Sequence, residues 1–267
     1  MTEAQTQNCL ATDRRGAVMW LRLQRPAAMN AISAEMLDEL NLAIDRIEAD
    51  ETVRVVVLTG AGRAFCAGAD LKGLTIAGGV LDPDRIVEFV GYAGRTIDRL
   101  AELPQPVIAG VNGLALAGGL ELLLAGDIVI ASASARIGDA HSNFGLIPGA
   151  GGSVRLARVV GPQMAKYLAF TGEAFPPGSP VLAGLVSEVV EPDMLEARLD
   201  ELAVALAAKS PLGLGRMKRL INDSPDQPLA EALAAEQKAL GEQCRSQDFA
   251  EGLAAFAAKR APHYQGR

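Results

Sequence analysis

The sequence predicts an α/β protein in which a largely parallel sheet, buried on both faces, is followed by a C-terminal helical module. Three runs of mostly apolar residues, rich in Val and Ile, are typical of strands covered on both sides. Helical patterns alternate with these runs, and that repeated order is typical of βα units. From Leu195 onward the chain is rich in Ala, Leu and Glu and predicts almost only helix. The three predicted buried strands are Val53–Thr59, Val107–Val111 and Asp127–Ala131.

Local signals predict the other elements. Ala17–Leu23 has a strand-like pattern that stops at Arg25-Pro26. Ser33 is a suitable N-cap, and the apolar residues after it recur at helical spacing, which predicts the first helix. The Gly-rich stretch Gly145–Gly152 precedes a helix that is predicted to begin near Ser153. Two further segments are predicted to be helical, Pro83–Leu103 and Gly119–Ala125, and Gly60–Asp70 is predicted to be a loop of small residues.

The chain divides into an α/β core, Met1–Glu191, and a helical module, Pro192–Arg267. No linker rich in Ser, Gly and Pro separates the two parts, so the boundary is not sharp. Ser-Pro pairs at Ser210-Pro211 and Ser224-Pro225 break the helices of the module.

Composition excludes several classes of function. The 267 residues carry a net charge of −7, with 32 acidic and 25 basic side chains, which argues against a nucleic-acid surface. The chain has two histidines and three widely spaced cysteines, which excludes a His-rich metal site and leaves no zinc pattern or disulfide framework. Met1–Asp13 does not resemble a signal peptide, and no apolar stretch approaches the ~20 residues of a membrane span. We therefore expect a cytoplasmic protein with reduced thiols.

Two glycine-containing segments are candidates for chemistry, Ala64–Leu71 and Asn112–Leu122. Two other Gly-rich turns, Gly60–Arg63 and Gly145–Gly152, do not give the dinucleotide fingerprint, and the phosphate-loop motif is absent from the chain. Both candidate segments follow a predicted buried strand and place glycine where backbone approaches something closely. Two N–H groups that converge from two such turns would form an oxyanion hole, and a helix beginning near Gly119 would direct its positive end at the same place. The alternative is that both segments are tight turns beside a core helix.

Glu121 is the candidate acid/base residue. Every neighbour within three positions on either side is apolar or glycine, which predicts a buried side chain. Burial disfavours a charged carboxylate and suits the group to proton transfer. The alternatives are a surface position on an amphipathic helix or a buried partner of an arginine.

With these segments in place, the sequence resembles the crotonase superfamily, the enoyl-CoA hydratase/isomerase family, over essentially its whole length. The resemblance implies a spiral of repeated ββα units with two roughly perpendicular sheets. It also implies a C-terminal module for trimerisation and active-site cover, a trimer or dimer of trimers, and no metal or redox cofactor. Coenzyme A enters as part of the substrate. The matching stretches are residues 25–31, 64–71, 106–113, 118–121, 145–152, 171–172, 184–186 and 248–263.

The resemblance also implies roles for individual residues. The N–H groups of Ala69 and Gly118 match the two oxyanion donors. A second set of residues matches positions that meet coenzyme A, although for Lys72 and Lys259 a solvated lysine is the alternative. Lys259 falls where relatives often bring a cation to the coenzyme, sometimes from a neighbouring subunit. The residues of this coenzyme A set are Ala67, Asp70, Leu71, Lys72 and Lys259.

His141 is where the chain departs from the hydratase pattern. Glu121 matches the first of two catalytic glutamates, but the position of the second, four residues before Gly145, is His141. A histidine can transfer protons near neutral pH, and Asp139 and Asn143 flank it as candidates to orient the ring; a structural role is the alternative. Despite this departure, the resemblance implies a 2-enoyl-CoA hydratase that stabilises a thioester enolate. Rivals are a double-bond isomerase or a β-diketone hydrolase with the same fold, and a non-catalytic acyl-CoA-binding protein.

Overall fold

The computed structural model describes residues 8–74 and 82–267, and residues 1–7 of the polar N-terminal segment lie outside it. No described helix is both long enough and apolar enough to span a membrane. The strands are β1 (Leu10–Arg15), β2 (Val18–Leu23), β3 (Val55–Gly60), β4 (Ala64–Cys66), β5 (Val107–Val111), β6 (Leu114–Leu116), β7 (Ile128–Ser132), β8 (Arg136–Gly138) and β9 (Glu188–Val190). The α-helices are α1 (Ala34–Ala49), α2 (Pro83–Glu102), α3 (Gly118–Leu123), α4 (Gly152–Val160), α5 (Pro162–Thr171), α6 (Leu195–Ala207), α7 (Pro211–Asp223), α8 (Leu229–Gln243) and α9 (Gln247–Ala257).

The larger sheet has six strands in the order β1-β2-β3-β5-β7-β9, and every neighbouring pair except β1/β2 is parallel. Successive residues of β3 face opposite sides, as the strand period requires. Val56 and Leu58 belong to the main core with α1 and α2, whereas Val55 and Val57 pack in a second cluster with α6. The prediction of a parallel sheet buried on both faces is confirmed.

The smaller sheet consists of three parallel strands in the order β4-β6-β8. The prediction that Gly60–Asp70 is only a loop is wrong, because β4 lies within it. A three-residue strand is too short to show a period and forms only through its pairing partner. Glycines let the sheet pack closely: a Cβ on Gly119 would collide with the carbonyl oxygen of Cys66, and one on Gly113 with that of Arg63.

Together the two sheets give a unit that repeats along the chain. A strand of the large sheet, a strand of the small sheet and a helix follow one another as β3-β4-α2, β5-β6-α3 and β7-β8-α4. These repeats confirm the ββα core expected from the resemblance.

The C-terminal part is helical, as predicted, but its first helix packs on the large sheet. Leu195, Leu199 and Ala203 of α6 are buried in the same cluster as Trp20. The helix α7 is tied to the core by Lys218, whose Nζ lies 2.8 Å from Asp127 Oδ2. The division at residues 191/192 stays a prediction.

Candidate active site

The small sheet brings three candidate segments to one edge. In parallel strands the carboxyl ends lie on the same side, and β4, β6 and β8 end at Cys66, Leu116 and Gly138. Two or three residues beyond these ends come Ala69, Gly118 and His141. Gly118 and His141 follow Ala69 by 49 and 72 positions in the chain, and the pairing of the three strands brings them to the same edge of the sheet.

The backbone amides of Ala69 and Gly118 lie side by side. A Cβ built on Gly118 would be 3.5 Å from the nitrogen of Ala69, and one built on Gly68 would be 3.6 Å from the nitrogen of Gly118. Gly68 has a φ of +108°, a conformation that favours glycine. Within residues 8–74 and 82–267, neither N–H donates a hydrogen bond to another group. Two adjacent donors are thus available to one acceptor.

The turn that presents Gly118 is strained. Ala117, a residue with a Cβ, has a φ of 50° and a ψ of −118°. Such backbone conformations cost about 1–3 kcal/mol and persist where the surrounding structure imposes them. Here the imposed geometry turns the chain from β6 into α3, so that α3 begins at Gly118 and carries Glu121 in its first turn.

Glu121 is buried, with 4% of its surface exposed, so the predicted burial is confirmed and a surface position is excluded. Its Oε1 accepts hydrogen bonds from Ala150 N (2.8 Å) and Gly152 N (2.9 Å). Gly152 is the first residue of α4, so the carboxylate also lies at the positive end of that helix. These donors replace part of the hydration that burial removes. Its other oxygen, Oε2, accepts no hydrogen bond from any described residue and remains available for chemistry.

His141 is oriented by Asp139. Its Nδ1 lies 2.9 Å from Asp139 Oδ1, and its backbone N–H donates to the same oxygen at 3.1 Å. Only 11% of the imidazole and 2% of the carboxylate are exposed. Burial alone would lower the pKa of His141, but the hydrogen bond and charge of Asp139, together with the charge of Glu121, raise that pKa above its usual value of 6.5. Because Asp139 accepts from Nδ1–H, Nε2 is the ring nitrogen available for proton transfer.

Asn143, the other expected partner of the ring, points elsewhere. Its Nδ2 donates to the carbonyl oxygen of Gly172 at the end of α5. Of the two candidates, Asp139 therefore orients His141, and the side chain of Asn143 fixes the turn His141–Phe144 to the end of α5 instead.

The residues predicted to meet coenzyme A fall in two places. Ala67 to Lys72 lie beside the paired amides, where Ala67 N donates to Met29 O (3.0 Å) and Asp70 Oδ2 is 2.7 Å from Arg25 Nη2. Leu71 is half-buried and Lys72 is exposed. Lys259 is exposed in the turn that follows α9, with a φ of 52°. No described contact joins Lys259 to the segment around Ala69.

Some residues of the site were not predicted. Ala150 and Gly152 donate hydrogen bonds to Glu121 and lie in the matching stretch 145–152, but neither residue was given a role. Arg25 was quoted as part of a matching stretch but given no role, because its partner Asp70 lies 45 positions further along the chain.

An apolar groove on the helical module is separate from this site. It has a volume of about 480 Å³, and none of the residues predicted for the site lines it. It runs between α7 and α8 and is lined by residues that include Met217, Ile221 and Leu240.

The chain is similar to known proteins over nearly its whole length. A family model described as enoyl-CoA hydratase/isomerase matches residues 13–267. A 1,2-epoxyphenylacetyl-CoA isomerase of Escherichia coli (strain K12) is 38% identical and a short-chain-enoyl-CoA hydratase of Clostridium acetobutylicum is 37% identical; the alignments cover 94% and 95% of this chain, and 95% and 96% of the relatives. The crystal structure of an enoyl-CoA hydratase from Bacillus anthracis superposes with a TM-score of 0.92 at 37% identity, over 97% of this chain and all of that one.

The fold and the site define an acyl-CoA enzyme with the crotonase fold. Within that class, the chain belongs to the enoyl-CoA hydratase/isomerase family.

Proposed function

We propose that this protein hydrates a 2-enoyl-CoA thioester by way of an enolate stabilised in an oxyanion hole. The observation that carries the proposal is the pair of adjacent N–H groups of Ala69 and Gly118, which donate to no described residue and lie beside a buried carboxylate. A thioester carbonyl that accepts both hydrogen bonds gains most when its oxygen becomes negatively charged, so the amides favour the enolate over the substrate.

Glu121 and His141 divide the proton transfers. Glu121 Oε2 takes a proton from water, whose hydroxyl adds to C3, and the electrons of the C2=C3 bond move into the thioester as an enolate. His141, in which the hydrogen bond and charge of Asp139 stabilise the protonated ring, gives a proton from Nε2 to C2. Solvent exchange then returns a proton to His141 and removes one from Glu121. The atoms of one water are added, and no metal or redox cofactor takes part.

Loss of the second glutamate favours a second candidate, migration of the double bond in a 3-enoyl-CoA. That reaction removes a proton from one carbon and returns it to another, so Glu121 alone suffices. A water-activating role of His141 would instead suit the hydrolysis of a carbon–carbon bond in a β-diketone.

Coenzyme A is proposed to lie along the segment Ala67–Lys72, with a cation supplied by Lys259 of the same or a neighbouring subunit. We propose a homotrimer or a dimer of trimers in the cytoplasm. Exposed apolar side chains on the helical module support association between copies, because burial of such surface is favourable. They include Met217, Ile221, Leu240 and Phe256. Sedimentation velocity of the purified protein tests the trimer.

Three substrates separate the candidate activities. Purified protein is assayed with crotonyl-CoA, a 3-enoyl-CoA and a cyclic β-diketone, and hydration is followed by the lost absorbance of the conjugated thioester. The proposal predicts turnover of crotonyl-CoA that depends on Glu121. Turnover of the 3-enoyl-CoA or the diketone without hydration would replace it with the corresponding rival.

A further inference from the structure

A short loop packs against the back of the segment that carries Ala69. This loop, residues 25–32 and called the 25–32 loop below, contacts that segment through three backbone hydrogen bonds. Ala67 N donates to Met29 O (3.0 Å), Ile32 N to Gly68 O (2.8 Å) and Asp70 N to Ile32 O (2.8 Å). The residues on both sides of Ala69 are therefore hydrogen-bonded to the 25–32 loop.

This pairing determines where the Ala69 amide points. In extended backbone, successive residues direct their polar groups to opposite sides. Since Gly68 O and Asp70 N face Ile32, the N–H of Ala69 faces away from the 25–32 loop. A Cβ built on Gly118 would lie 3.5 Å from Ala69 N and 3.4 Å from Ile32 Cδ1, so Gly118 is close to both residues of this pair. The direction of one proposed oxyanion donor thus depends on the register between Ala69 and Ile32.

A salt bridge between Arg25 and Asp70 lies next to these backbone hydrogen bonds. Arg25 Nη2 lies 2.7 Å from Asp70 Oδ2, and Arg25 Nη1 donates to the carbonyl oxygen of Ala31 at 2.5 Å. One guanidinium therefore joins both chains next to the Ala69–Ile32 pair. The hydrogen bond from Arg25 also lowers the pKa of Asp70, despite partial burial, so the carboxylate stays charged across the neutral range.

The side-chain amide of Asn30 holds the 25–32 loop in place. The residue is fully buried and has a φ of 54°. Its Oδ1 accepts from Arg25 N (2.9 Å), and its Nδ2 donates to Ala61 O (2.9 Å) and Ala64 O (2.8 Å), which uses both N–H bonds of the amide. The 25–32 loop is therefore also anchored to the start of β4.

We propose that Arg25 and Asp70 form a clamp that positions the Ala69 amide for the thioester oxygen, so that both are positioning residues for the reaction. The inference rests on the proposed function. It assigns Asp70 an action through Ala69 rather than a contact with coenzyme A.

The test measures carbonyl polarisation and kinetics in the same variants. Butyryl-CoA, a saturated thioester, is labelled with ¹³C at its carbonyl, and its infrared stretch is recorded free and bound. Wild type lowers this frequency. Asp70→Asn, which is isosteric, should restore at least half of the lost frequency and lower kcat about 10- to 100-fold, with KM within about threefold. Arg25→Gln should match it, and the double variant should be no worse than either single change.

Two further variants control for charge and for stability. Arg25→Lys keeps the charge but cannot join Asp70 and Ala31 in a planar fork, so it should rescue the frequency shift in part. Glu188→Gln breaks the pair that Glu188 forms with Arg198 on β9 and should leave kcat and frequency unchanged.

The outcomes distinguish the clamp from the proposed function. A wild-type protein that leaves the carbonyl frequency unshifted overturns the proposed function, and the clamp with it. A normal shift that Asp70→Asn fully retains overturns the clamp alone. Weaker binding of butyryl-CoA by Asp70→Asn with unchanged kcat would also overturn the clamp, since it would place Asp70 on the coenzyme.

Discussion

Replacing Glu121 by glutamine separates its chemistry from its structural role. The two donors on the carboxylate both reach Oε1, from Ala150 N and Gly152 N. A glutamine can keep its oxygen in that position and accept both bonds. Its amide then replaces Oε2 with a donor that cannot take a proton. The substitution therefore removes the base and leaves the local hydrogen bonds in place.

The structure sets the magnitudes. Glu121→Gln loses only the favourable charge at the start of α4, worth about 0.3–1 kcal/mol, and gains from burying a neutral group. Glu121→Ala instead leaves two buried N–H groups unpaired, at about 1–3 kcal/mol each, and adds a cavity. Turnover of Glu121→Gln should fall about 10²- to 10⁴-fold, which corresponds to about 3–5 kcal/mol in the barrier.

The assay combines crotonyl-CoA turnover, thermal unfolding and calorimetric binding of butyryl-CoA. Glu121→Gln should unfold within a few degrees of wild type and bind butyryl-CoA with nearly unchanged affinity. Turnover at the wild-type rate would refute the assignment of Glu121 as acid/base residue. A loss of turnover matched by a large loss of stability would refute the argument that glutamine preserves the two hydrogen bonds.

Two other predictions follow from the same geometry. Because protonated His141 is the proposed donor, kcat/KM should fall as pH rises through the pKa of His141, which lies above 6.5. Asp139→Asn removes the charge that raises this pKa, so that limb of the pH–rate profile should move to lower pH; an unmoved limb would exclude His141 as its source. Gly152→Ala places a Cβ 3.0 Å from Glu121 Oε1 and should lower kcat about tenfold. Gly178→Ala, whose Cβ meets nothing within 4 Å, is the matched control and should keep wild-type kcat, and equal rates in both variants would show that the Glu121 contact is unimportant.

The inner strands β2, β3, β5 and β7 of the large sheet could be predicted because they are largely apolar, whereas the edge strand β9 was missed. Val55 to Leu58 are all completely buried, so the unbroken run of apolar side chains indicates a strand covered on both faces. The small sheet could not be predicted, because β4, β6 and β8 have three residues each and depend on pairing across tens of residues. The edge strand β1 was also missed, since its middle residues, Thr12 to Arg14, are polar and mostly exposed.

For the site, sequence reasoning reached the residues but not their partners. The burial of Glu121 followed from its apolar neighbours, whereas its donors lie 29 and 31 positions further along the chain. Asp139 was one of two candidate partners of His141. The choice between Asp139 and Asn143 depends on the left-handed backbone of Ala140, with a φ of 61°, which residue type does not reveal.

The central claim is that the Ala69 and Gly118 amides bind the thioester oxygen together, and a crystal structure of the protein with bound butyryl-CoA tests it most directly. The carbonyl oxygen is predicted to lie about 2.7–3.1 Å from both Ala69 N and Gly118 N, with C2 of the acyl chain facing His141 and C3 facing Glu121. A carbonyl oxygen beyond hydrogen-bonding distance of both nitrogens, with the coenzyme otherwise well ordered, would contradict the account.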